Sequence, residues 1–226
     1  KELGGYFDNE VAGWERALAY ESNQQKLDNY LQEVPVRENE WDQRHVPYKI
    51  ANAEHLAMSD STGMINLSHF AIMDIKGKDA ERMLEYLSVA KVGDNTPEGR
   101  IIYTNFLDED GGVHADLTIS RLGADRYRVV TGGADGNRDW VNLRNYRDDL
   151  GLEADINIQT HDISTLGLWG PRAKDALGHF IDPSEINIEN FPFVTAKYLT
   201  LNLSGGKTID VWAARISYVG ESGWEI

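Results

Sequence analysis

Cysteine is missing from all 226 residues. Disulfides, thiolate metal sites and cysteine nucleophiles are therefore excluded. Long apolar runs are missing too: no stretch approaches the roughly 18 consecutive apolar residues of a membrane-spanning helix. Positive charge is scarce, with 22 Lys and Arg against 37 Asp and Glu, a formal net charge of −15. Such a chain repels nucleic acid and anionic membrane surfaces, and a polyanionic ligand has to find a local basic patch. The six histidines, His45, His55, His69, His114, His161 and His179, form no H-x-x-x-H or H-E-x-x-H pair, so no metal site is expected. The stretch VTGGADGN, residues 130–137, is glycine-rich between a strand and a helix. It has neither the G-x-x-x-x-G-K-[ST] form nor the G-x-G-x-x-G spacing, and both phosphate-loop readings fall. A G-x-S-x-G nucleophile elbow is absent as well. No signal-peptide pattern opens the chain, which begins at Lys1. The cysteine-free composition permits a cytoplasmic location, and that is the expectation.

What remains is a globular composition, 41% hydrophobic with aromatics spread along the length. Residues 13–34 carry apolar residues at several helical spacings (Leu18, Leu27, Tyr30, Leu31, Val34), which predicts an amphipathic helix over part of the stretch. Residues 35–49, with two prolines and dense charge, read as a surface connection. A helix is expected over residues 51–59, ending near Gly63. From Met64 the pattern sharpens. NLSHFAIMDIKG is strand-like and KDAERMLEYLSVA is helical, with Ala80, Met83, Leu84 and Leu87 on one face. Residues 100–134 read as three strands with turns at 108–112 and 122–125. A helix follows with Gly151 as its stop, then strands near 155–160 and 163–169. A further helix opens with Pro171 in its first turn, and a hairpin turns about Gly205 and Gly206. Hairpins dominate this order and crossovers do not. The expected fold class is α+β, with largely antiparallel sheets and flanking helices.

Two stretches carry candidate chemistry. In GGVHADLTISRL, Val113, Ala115, Leu117 and Ile119 share one strand face, and His114, Asp116, Thr118 and Ser120 the other. If the second face is solvated, Asp116 is a routine exposed acid. If it lines a cleft, the carboxylate can accept a proton or orient an amine. In SYVGESGWEI, Tyr218, Glu221, Trp224 and Glu225 set aromatic faces and carboxylates around two glycines. Either this is a hairpin tip, with glycine chosen for its backbone freedom, or it suits a flat, nitrogen-rich heterocycle. In that case rings stack on the heterocycle and a carboxylate accepts from its amine and ring N–H pair.

Taken in order, NLSHFAIMDIKGKDAERMLEYL, YTNFLDEDGGVHADLTISRL, LWGPRAKDAL and RISYVGESGWEI resemble the glycine-cleavage T-protein (aminomethyltransferase) family, a tetrahydrofolate-binding fold. The resemblance covers residues 61–226 and implies a T-protein-like folate domain there, with residues 1–60 as a connecting segment. The opening KELGGYF…GWER is similar to the join before the folate domain in dimethylglycine dehydrogenase, dimethylglycine oxidase and sarcosine dehydrogenase. That likeness implies a preceding FAD domain in the same polypeptide and a final barrel domain after Ile226, so that the chain reads as an internal piece. A proline usually follows GWER in that group, and Ala17 stands here. The resemblance further implies tetrahydrofolate as cofactor and an amine-derived one-carbon donor, giving 5,10-methylenetetrahydrofolate. It makes Asp116 the catalytic carboxylate near the folate N10. It puts the pterin on Glu225 with Tyr218 nearby, and makes Tyr103 and the strand end at Val130, Thr131 and Gly132 cofactor-lining. Two rivals share the fold: a free-standing aminomethyltransferase or folate-dependent demethylase, and a non-catalytic folate module. Folate binders of iron–sulfur assembly carry a KGCYxGQE-type segment where this chain has YVGESGWE, without cysteine.

Overall fold

The computed structural model describes residues 2–7, 9–11, 13–34, 47–93 and 96–226. His45 and most of the connection read from residues 35–49 lie outside them. The N-terminal part holds short ladders: β1 (Gly5–Tyr6) pairs with β4 (Ala19–Tyr20), and β2 (Asn9–Val11) with β3 (Trp14–Arg16). A single helical turn follows, α1 (Asp28–Leu31), and then α2 (Pro47–Asp60). The amphipathic helix expected over part of residues 13–34 takes the form of two 3₁₀ turns, Glu21–Asn23 and Gln25–Leu27, that run into α1. The backbone groups of Ala19 and Tyr20 are taken by β1, and Glu54 on α2 accepts from the Tyr20 N–H at 3.3 Å and from Asn23 at 2.7 Å. The pairing with β1 holds residues 19–20 extended, so the helical run begins only at Glu21. Ala19, Leu27, Val34, Ile50 and Ala53 form a small core beneath them.

The remainder follows the order read from the sequence. After β5 (Gly63–Asn66) come β6 (Ala71–Lys76), α3 (Ala80–Leu87), β7 (Ile101–Leu107), β8 (Val113–Gly123), β9 (Arg126–Thr131) and α4 (Gly136–Asp149). The chain continues through β10 (Asp155–Ile158), β11 (Leu166–Trp169), α5 (Ala173–Leu177), β12 (Thr195–Asn202), β13 (Thr208–Arg215) and β14 (Gly223–Glu225). The stretch read as one strand from Asn66 to Gly77 is broken by a turn in which the Phe70 N–H donates to the Leu67 carbonyl at 2.9 Å. α4 stops as expected. Gly151 takes a left-handed φ of +61, and the Leu152 N–H reaches back to the Arg147 carbonyl at 2.9 Å.

Two five-stranded sheets result, ordered β10-β6-β9-β8-β7 and β12-β13-β14-β11-β5. Every pairing among the described residues is antiparallel. The fold is α+β, as expected. One face of the first sheet packs on α3 and α4 through Met73, Ile75, Met83, Leu84, Leu117, Ile119, Val129 and Leu143. One face of the second packs on α5 and the loop after it through Leu177, Ile186, Phe191, Leu199 and Trp224. The other two faces meet each other. Ile101 of the first sheet clusters with Ala196 and Ala214 of the second, and the Arg128 guanidinium sits over the Trp212 ring, 5.6 Å from its centre.

Arg128 is 6% exposed, and Asp74 grips it with two oxygens at 2.7 and 3.0 Å. Breaking a buried pair strands the surviving charge. Asp74→Ala is therefore expected to cost about 3–5 kcal/mol. Urea denaturation checks this, and an unchanged midpoint would show that the pair contributes nothing.

Candidate functional site

The site is built on the two faces that meet. On β8, Ala115, Leu117 and Ile119 point into the helix-covered core, so the two-residue period turns Asp116 toward the second sheet. Tyr103, on the neighbouring strand β7, shares that face with Ile101. Its hydroxyl donates to Oδ2 of Asp116 at 2.9 Å. The pair is diagonal across the ladder, since Asn105 stands opposite Asp116 and Thr118 opposite Tyr103. Accepting this bond, the Asp116 carboxylate holds the Tyr103 phenol above its ordinary pKa. Oδ1 of Asp116 has no partner among the described residues. His114 does not share this face, contrary to the simple alternation. The ladder shifts register between Phe106 and Leu107, and the His114 ring turns to Asn142 on α4.

Thr131 and Gly132 behave differently from one another. Thr131 stands level with Leu117 on one side and Ala71 on the other. Its hydroxyl is buried and donates to Oδ2 of Asp139 on α4 at 2.8 Å. The Thr131 side chain is thus turned to the helix side, away from the face of Asp116. It anchors the strand end and does not line the cleft. Asp139 also receives Nε and Nη2 of Arg138, whose Nη2 in turn reaches the His114 carbonyl at 2.7 Å. The next level along the sheet carries Phe70, Gly132 and Asp116 side by side, one step past the paired row. Gly133 beyond it has to be glycine, because a methyl group there would overlap the His69 carbonyl oxygen.

Phe70 brings in the second sheet. Tyr218, 75% exposed, meets the Phe70 ring edge-on at 6.3 Å. Two contacts thus flank the Gly132 strand end, Tyr103 with Asp116 on β7 and β8, and Phe70 with Tyr218 before β6. Phe70 was not singled out by sequence reasoning, and its place at the foot of a strand, after a serine and a histidine, was the available signal. Trp224 does not join them. It is 1% exposed, packed on Phe191 with Arg215 over its ring, and offers no stacking surface. Burying Trp224 turns Glu225 the other way, opposite Gly167 and Ala214 and on the side that faces the first sheet. Among the described residues no group hydrogen-bonds the Glu225 carboxyl. Burial alone pushes its pKa up to about 7. A carboxyl raised by burial and without a hydrogen-bond partner among the described residues leaves acceptor oxygens for a donor pair from outside the chain.

Within the described residues no three or more His, Asp or Glu side chains are grouped to hold a metal ion, and no helix is long and apolar enough to cross a membrane.

Two antiparallel sheets thus face each other, with Asp116 held by Tyr103 on one and the half-buried Glu225 carboxyl, unpaired among the described residues, on the other. The family model described as "GCVT N-terminal domain" matches residues 1–226, and the chain belongs to that family. Among curated proteins it is 30% identical over 186 residues to mitochondrial sarcosine dehydrogenase of Mus musculus and 28% identical to that of Homo sapiens. Both matches cover 76% of this chain and 19% of the relative, so the chain spans about a fifth of the length of these relatives. Among solved structures, the glycine cleavage system aminomethyltransferase T of Bartonella henselae has the same fold. The TM-score is 0.70 at 20% identity, covering 99% of this chain and 50% of that one.

Proposed function

We propose that this chain binds tetrahydrofolate between its two sheets and serves one-carbon transfer from an N-methyl amine such as sarcosine or dimethylglycine, giving 5,10-methylenetetrahydrofolate. In this reading it is the folate domain of a flavin-linked oxidoreductase whose FAD lies in another domain of the same polypeptide. The likeness to sarcosine dehydrogenases supports that setting. The observation that carries the reading is the Glu225 carboxyl, half-buried and without a hydrogen-bond partner among the described residues, on the side of its strand that faces the first sheet.

The residues fit such a ligand. Glu225 accepts from the amine and ring N–H of the pterin, a charge-assisted pair that fills the vacant acceptor. Tyr218 and Phe70, in edge-on contact with each other, are the aromatic rings proposed to flank the heterocycle. Tetrahydrofolate supplies the secondary amines that take up the one-carbon unit. Asp116, its Oδ2 held by Tyr103, keeps Oδ1 free to take the proton that an attacking amine gives up. Most of the rate gain comes from holding both reactants in one cleft.

Calorimetry with a reduced folate analogue tests this. Because the ionised form of Glu225 binds, affinity is expected to rise about tenfold per pH unit below pH 7 and to level off above it. Glu225→Gln should abolish both the binding and its pH dependence. Equal affinity in the variant removes Glu225 from the site.

The match to an aminomethyltransferase T fold favours a second reading, transfer from an aminomethyl carrier of the glycine cleavage system. Assay of the full-length protein with sarcosine and with an aminomethyl-loaded carrier separates the two.

A further inference from the structure

Arg16 ends β3 in the N-terminal part, and its Nη1 lies 3.4 Å from Nε2 of His69. His69 stands in the turn before β6, directly ahead of Phe70, and its backbone packs on Gly133, the residue after Gly132. A guanidinium from the N-terminal part thus reaches the strand end beside the candidate site. It comes from the flank of β9 that carries β6, Phe70 and Tyr218, opposite the flank that carries β8 and β7. Two features single it out. First, 37 acids crowd this chain, yet no carboxylate pairs with Arg16 among the described residues. Its Nε is shut off from solvent and has no hydrogen-bond partner among them. A buried donor of that kind calls for an acceptor. Second, its partner is a histidine that burial, and then the Arg16 charge, holds below its ordinary pKa. The ring is therefore uncharged at neutral pH and accepts from Nη1. Nε and Nη2 are left, the planar fork that grips a carboxylate through two parallel bonds.

We propose that Arg16 binds the carboxylate of the amino acid that donates the one-carbon unit, a proposal that rests on the folate reading above. The donors in that reading, sarcosine and dimethylglycine, hold a carboxylate one methylene away from the nitrogen that carries the carbon to be transferred. Their recognition needs a cation close to the one-carbon site and apart from its proton acceptor. Arg16 and Asp116 answer to that division, since they approach the Gly132 strand end from opposite flanks of β9. The summed charge of −15 repels a carboxylate elsewhere, and a methylated amine without one gains nothing from Arg16. The subsite therefore sorts amino-acid donors from simple amines.

NMR titration of the chain, read at the His69 ring, tests the subsite with sarcosine and with dimethylamine, which keeps a methylated nitrogen and lacks the carboxylate. In wild type, sarcosine should shift the His69 ring resonances to a saturable end point, and dimethylamine should leave them in place. Arg16→Gln should weaken sarcosine binding about tenfold or more, the scale of a charge-assisted pair. Arg16→Lys keeps the charge and loses the fork, so it should fall between the two, and it carries the comparison if Arg16→Gln does not fold. A reduced folate analogue, added to the same samples, should bind wild type and variants alike. If sarcosine and dimethylamine act alike on wild type, or if the variants bind sarcosine as wild type does, the subsite is overturned, and a bound analogue leaves the folate reading standing. If the variants lose the analogue together with sarcosine, Arg16 serves the folate and the donor subsite is overturned. If wild type binds no analogue, the folate reading fails. Sarcosine binding that depends on Arg16 then upholds an amino-acid site alone, and no binding overturns it.

Discussion

Glu225→Gln should make the protein more stable at pH 8, by about 3 kcal/mol, while removing its ligand binding. The unfolded acid has its ordinary value of 4.5, and burial in the folded protein raises it to about 7. Below pH 4.5 both states carry the proton and nothing is lost. Between pH 4.5 and 7 the folded state keeps a proton that the unfolded state releases, so stability falls as pH rises. Above pH 7 the full cost of an ionised buried carboxylate is present, about 1.4 kcal/mol for each unit between the two values. Glutamine has the shape of the protonated acid and no charge to desolvate. It should therefore match wild type near pH 4 and pull ahead above pH 7. Urea denaturation of both proteins across that range reads the difference. Parallel curves at all pH values would mean that water reaches the carboxylate and that burial does not tune it. The expected trade of stability against ligand affinity is what a site held open for a partner shows, and a purely structural acid would not show it.

Asp116→Asn should lower folate-dependent turnover of the full-length protein by about 10²–10⁴-fold, the range for loss of a positioned general base. Asparagine still accepts the Tyr103 hydroxyl through its carbonyl oxygen, so the geometry at 2.9 Å survives while the proton acceptor at Oδ1 is lost. The residue is exposed and outside the core, so stability should stay within about 0.5 kcal/mol of wild type. Folate affinity should hold as well, because in the proposed reading it is Glu225 that takes the pterin. A variant that turns over normally would leave Asp116 with no chemical role. One that loses binding and turnover together would make it a ligand contact instead.

Much of this was legible in the chain. From β6 to β13 the alternation and the turn residues spelled out the element order, because each strand there pairs with neighbours close in sequence or carries a clear two-residue period. The face of Asp116 followed from the same period, since Ala115 and Leu117 are apolar. His114 broke the rule because the bulge opposite Phe106 and Leu107 sits within the ladder, and no residue type announces it. Thr131 pointed the wrong way for a related reason: it shares the parity of Val129 in the core, and its hydroxyl is satisfied by Asp139 from a helix eight residues on. The N-terminal helix starts late, at Glu21, because β1 takes the backbone of Ala19 and Tyr20 from a distant stretch. The raised pKa of Glu225 was out of reach from sequence, because its desolvation depends on burial in the folded chain.

Trp224 and Glu225 are adjacent on a strand of three residues, one facing each way. A slip of one position would drive a carboxylate in beside Phe191 and swing an indole into the gap between the sheets. Insertions and deletions in the turn at 217–222 are therefore tolerable only when the turn absorbs them whole. The bulky ring in the core acts as a phase lock for the acid.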